Sequence, residues 1–138
     1  LLKNNGFFAA IIDGDMDAVP EYRKIHNIIY KYVQKEHPNY GTIELGDVRV
    51  RNSKDLKKLA LKTFSNSKVT ITPHVLYFSD YPRTLAREVA RFFYAAFVLS
   101  NKGHSKMLKE LEKYFSSRLN KGLGSYMMPI NLLYIKKN

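Results

Sequence analysis

The chain has 138 residues and a formal charge of +11, and its 45% hydrophobic and 25% charged residues are the composition of a chain that folds as one domain around a core. It contains no cysteine, which excludes a disulfide framework, cysteine-ligated zinc and thiol catalysis but leaves the redox compartment, and with it the localisation, undetermined. No uncharged stretch approaches the ~20 residues needed to cross a bilayer, so no transmembrane segment is expected, and a chain beginning at Leu1 reads as a processed product or a fragment.

In chain order, Gly6 to Ile12 is a short apolar run that predicts a strand ending at the acids Asp13, Asp15 and Asp17. Pro20 opens a helix whose Tyr22, Ile25, Ile29, Tyr32 and Val33 recur at helical spacing up to Glu36, and His37, Pro38, Asn39 and Gly41 end it. In residues 42–51 the apolar alternation of Ile43 and Leu45 changes phase at Gly46-Asp47 and resumes at Val48 and Val50. A β-hairpin turning at Gly46-Asp47 satisfies both faces; a single strand bulged at Gly46 is the alternative. Ser53 is the expected N-cap of a second helix, with Leu56, Leu59, Ala60 and Phe64 inward and Lys54, Lys57, Lys58 and Lys62 outward. Lys68 to Phe78 reads as a strand with an edge or bend at Pro73.

Pro82 opens a third helix, expected to run to about Ser100 with Leu85, Val89, Phe92, Phe93, Ala96 and Phe97 inward and Gly103 as its stop. A fourth begins near Ser105 with Met107, Leu108, Leu111, Tyr114, Phe115 and Leu119 along one side. Asn120 to Ser125 breaks it, and Met127 to Ile135, which contains Pro129, is expected as a terminal strand or a docked tail. The order predicts an α+β fold, four helices packed on a small mixed sheet that includes the hairpin at 42–51, in a single domain 1–138.

Charge is the most informative feature. Residues 1–41 hold five basic and five acidic groups, whereas residues 42–138 hold eighteen basic and seven acidic and so carry the whole +11. A localised excess of this size attracts phosphates and raises their encounter rate. Arg83, Arg87 and Arg91, spaced by four, project from one stripe of the third helix, and Arg49, Arg51, Lys54, Lys57, Lys58, Lys62 and Lys68 form a second dense set opposed only by Asp55. Phosphate contacts position without specifying sequence, so shape-dependent or nonspecific binding is expected.

The acids Asp13, Asp15 and Asp17 lie at alternate positions after an apolar strand, a pattern suited to Mg²⁺ or Mn²⁺. An EF-hand loop is excluded, because Ala18 stands where its glycine belongs and Lys24 where its bidentate Glu belongs. The string IIDGDM is similar to the start of the NYN/PIN-like metal-dependent ribonucleases, with Met16 in place of an Asn, but the further acids that family needs on later strands are missing. FAAIIDGDM is also similar to the LAGLIDADG string of homing endonucleases, with Met16 in place of the closing glycine and a helix where that family has a hairpin. Neither family is carried over to this chain. Lys121-Gly-Leu-Gly-Ser125 matches no phosphate-binding fingerprint, and His26, His37, His74 and His104 have no metal-ligand spacing.

The expected function is therefore a non-enzymatic nucleic-acid-binding or structural component of a nucleoprotein assembly, viral or ribosome-like, with nucleic acid and other assembly proteins as partners and no cofactor. One alternative is a metal-dependent nuclease holding Mg²⁺ through Asp13 and Asp15. The other is a protein-interaction subunit whose positive surface meets an acidic partner.

Overall fold

The computed structural model describes residues 2–41 and 47–137. Its strands are β1 (Phe7–Asp13), β2 (Ser67–Asp80) and β3 (Gly124–Lys137), and its longer helices are α1 (Pro20–Glu36), α2 (Ser53–Thr63), α3 (Pro82–Phe92) and α4 (Asn101–Ser116). The architecture is α+β, as the sequence predicts. The sheet order is β1-β3-β2, and the sheet is antiparallel where a mixed one was expected, because the last strand inserts between the other two and runs opposite to both.

The chain divides into two compact units, one formed by Leu1–Val19, Glu44–Leu76 and Met128–Asn138, the other by Pro20–Ile43 and Tyr77–Met127. In the first unit β1 pairs with β3 from Phe7 opposite Lys136 to Asp13 opposite Ile130. The core is Leu56 and Ala60 of α2 against Val69, Leu133 and Ile135 of the strands, with Ala10, Ile12 and Phe64 closing its edges. The terminal stretch is a central strand in spite of Pro129, which lacks the N–H a ladder needs. The Pro129 carbonyl accepts the Gly14 N–H at 3.0 Å, and paired antiparallel residues exchange both bonds. The missing donor thus falls at the end of the β1 ladder, where it interrupts nothing. A Cβ on Gly14 would lie 2.9 Å from the Pro129 carbonyl carbon and the Ile130 nitrogen, so only glycine permits this approach.

The expected hairpin is corrected in its second limb. Val48–Arg51 form a 3₁₀ turn, while residues 42–46 lie outside the described ones. Asp47 decides the outcome locally, since its carboxylate accepts the Arg49 N–H at 3.0 Å and closes a turn where a strand would need that donor for its ladder. Asn52, one residue before the expected cap, accepts from the Lys54 and Asp55 N–H groups and starts α2. β2 lies at the sheet edge, which is where Pro73 is tolerated.

In the second unit Ile25, Ile29 and Val33 of α1 and Met107, Leu111 and Phe115 of α4 are fully buried, beside Leu85, Ala86, Val89 and Ala90 of α3. The expected third helix stops eight residues early. Phe93 leaves the helical region and packs its ring against Tyr22 and His26, a 3₁₀ turn follows at Tyr94–Val98, and Phe92 and Phe97 point to solvent rather than inward. Gly103 is not a stop but lies inside the first turn of α4. Ser100 caps that helix by accepting the Gly103 N–H at 3.1 Å, and Glu36 in turn accepts the Ser100 N–H and hydroxyl, each at 2.8 Å. The Ser100 N–H, then its hydroxyl, hold the Glu36 carboxyl below the usual carboxylate range. A side chain at 103 would strike that carboxylate. Beyond α4, Lys121 and Gly122 both have positive φ, 51° and 81°, and Asn120 and Leu123 exchange both backbone bonds around them, a two-residue hairpin turn.

Candidate nucleic-acid interface

Both units are cationic. The first holds ten basic and six acidic residues, a net +4, and the second thirteen and six, a net +7. Of the cations expected in the first unit, Arg49 is engaged by its own neighbour. Its Nε and Nη2 donate to Asp47 at 2.9 and 2.6 Å, which holds the Asp47 carboxyl low and the guanidinium high. Arg51 is exposed at the mouth of a recess of about 470 Å³, lined also by Asp15, Ser53, His74 and Asn131, and its carbonyl accepts from the buried Asn131 amide at 2.9 Å. α2 turns Leu56 and Ala60 inward, so its lysines face solvent. Lys58 pairs with Asp55 at 3.1 Å, whereas Lys54, Lys57 and Lys62 make no ion pair with the described residues.

In the second unit α3 buries Leu85, Ala86, Val89 and Ala90, which leaves Arg83, Arg87 and Arg91 exposed together on the other side. Arg91 donates to Glu88 at 2.8 Å, and Arg83 and Arg87 have no ion pair among the described residues. α4 carries a further stripe that the sequence reading missed, Lys102, Lys106, Lys109 and Lys113, opposite its buried Gly103, Met107, Leu111 and Phe115. Their spacing of four, three and four was as legible as that of the arginines. Lys106, Lys109 and Lys113 line an open groove of about 610 Å³ with Ile28, Tyr32, Tyr114 and Ser117. The acid in that groove, Glu110, is already occupied by the Lys31 ammonium and the Tyr32 hydroxyl, each at 2.6 Å. Burial pushes the Glu110 carboxyl up, but the bonds from Lys31 and Tyr32 outweigh it and hold it below the usual carboxylate range, while the bond to Glu110 raises the Tyr32 hydroxyl. Burial also raises the Tyr114 hydroxyl, over whose ring the Arg118 guanidinium lies at 5.1 Å.

The acidic stretch spans the end of β1 and the turn that follows it. Asp13 ends β1, and Asp15 caps the 3₁₀ turn Met16–Ala18 by accepting the Asp17 N–H at 2.9 Å. Among the described residues no three His, Cys, Asp or Glu side chains converge as metal ligands. No described helix is long and apolar enough to cross a membrane. No protein-family model and no curated protein matches the chain.

Proposed function

We propose that this chain is a nucleic-acid-binding, structural component of a nucleoprotein assembly that contacts phosphates through basic helix faces. One observation supports this reading most directly. Three helices hold their cations on the sides opposite their buried stripes, and eight of these, Lys54, Lys57, Lys62, Arg83, Arg87, Lys102, Lys106 and Lys109, have no ion pair among the described residues. Surface cations that serve only for solubility are commonly interspersed with acids of either helix turn. Here Asp47, Asp55, Glu88 and Glu110 are each taken by a different cation, which leaves Glu112 of α4 as the acid beside these rows without an ion pair among the described residues. Cations left unpaired in rows along helices match the regular charge of a phosphate backbone.

Equilibrium binding to labelled single-stranded and duplex RNA and DNA over a salt series, with and without Mg²⁺, tests the reading. A linear fall of log affinity with log salt, with a slope of several, is expected. Absent or salt-insensitive binding to all four refutes it and leaves an acidic protein as the partner to seek. Mg²⁺-dependent cleavage lost in Asp13→Ala or Asp15→Ala would replace it by the nuclease reading.

A further inference from the structure

One face of the sheet in the first unit packs on α2 through Val69, Leu133 and Ile135. Because strand residues alternate in direction, the opposite face presents Phe7, Ala9 and Ile11 of β1, Leu132, Tyr134 and Lys136 of β3, and Lys68, Thr70 and Thr72 of β2, all of them exposed. Phe7 is 66% and Ile11 71% exposed, and Tyr134 is 42%. An open sheet face normally carries polar side chains, and an exposed aromatic-aliphatic patch marks a binding surface.

We infer that this open face is a base-stacking platform for single-stranded nucleic acid, with Phe7 and Tyr134 as the stacking rings and Lys136 and Lys68 as the phosphate contacts. The inference rests on the nucleic-acid reading above and assigns its substrate class. The rings of Phe7 and Tyr134 already stack on each other, with centroids 5.9 Å apart and planes 25° apart, so a nucleobase on the outer side of either ring continues an existing stack. The charge beside the rings complements a phosphate chain. Lys136 stands directly across from Phe7, and Lys68, at the start of β2, lies at the same end of the sheet because β2 runs antiparallel to β3. Neither lysine has an ion pair among the described residues, and the only acid of β1, Asp13, lies at the far end opposite Ile130. Aromatic rings beside unpaired cations are the combination that holds unpaired bases without reading their sequence. Bases of a duplex are stacked on one another and do not offer their faces.

Fluorescence anisotropy with labelled oligo(U), oligo(dT) and a hairpin whose stem is closed by a non-nucleotide linker, so that every base is paired, tests this on the full chain. Phe7→Ala and Tyr134→Ala are each expected to weaken single-strand binding about tenfold and to leave both hairpin binding and the salt slope unchanged. Phe7→Tyr and Tyr134→Phe keep a ring and should bind as the wild type does. If the alanine variants bind single strands normally while Arg83→Gln/Arg87→Gln lowers the salt slope, the platform is overturned and the nucleic-acid reading stands. If the wild type binds none of the probes, that underlying reading fails and the platform with it. Equal losses on hairpin and single strand, or a dimer in sedimentation that Ile11→Lys dissociates, would also overturn it, the latter by making the face a contact between copies.

Discussion

Replacing Arg83 and Arg87 by glutamine removes two cations that lie one helical turn apart and have no ion pair among the described residues. Removing one phosphate-binding cation lowers the slope of log affinity against log salt by ~0.9 on duplex and ~0.7 on single strands. The double variant should therefore have a slope smaller by ~1.8 on duplex and by ~1.4 on single strands. Since the counterion contribution vanishes near 1 M salt, a decrease of ~1.4 corresponds to roughly 25-fold weaker single-strand binding at 0.1 M. Arg91 differs, because its guanidinium is held by Glu88 at 2.8 Å. Arg91→Gln alone should lower the slope by clearly less than Arg87→Gln alone. Anisotropy titrations over a salt series give all three slopes. A double-variant slope equal to that of the wild type would refute the assignment of the α3 stripe, and a larger effect at Arg91 than at Arg87 would refute the argument from pairing.

Gly14→Ala places a Cβ 2.9 Å from backbone atoms of Pro129 and Ile130, neither of which can swing aside as a side chain would. It should destabilise by about 1–3 kcal/mol, read as a lower urea midpoint at unchanged m-value; an unchanged midpoint would show that β1 and β3 can separate there without cost. Glu110→Gln removes a carboxylate held below its ordinary range by Lys31 and Tyr32. A depressed carboxylate contributes stability that is present above the unfolded pKa and lost as pH falls through the folded one, so the variant should be less stable than the wild type at neutral pH and equal to it in acid. Lys31 is exposed and Glu110 half-buried, so solvent screens the pair and the neutral-pH difference should be about 1 kcal/mol or less. Urea midpoints measured at neutral pH and below the folded pKa give the comparison, and a difference independent of pH would refute the linkage.

Where local chemistry decided the structure, the sequence alone was enough. Pro20 and the apolar stripe after it placed α1 at Pro20–Glu36, because both cues act within a turn or two of the chain. Pro82 likewise started α3, the apolar run before Asp13 formed β1, and the arginine and lysine stripes followed from helical spacing alone. The charge excess, and with it the expectation of a polyanionic partner, needed no coordinates. What the tertiary structure decided were choices between locally comparable options. Phe93 ends α3 because packing on Tyr22 and His26, residues about seventy positions away, outweighs continuing the helix. Asn101 starts α4 ahead of Gly103 because Glu36, at the end of α1, holds Ser100 in capping geometry. The last strand is central because the ends of the chain pair with each other, which places the gap left by Pro129 beyond the β1 ladder. Which cations stay unpaired, and which sheet face stays open beside Phe7 and Tyr134, depend on neighbours distant in sequence, and local periodicity carries no record of them.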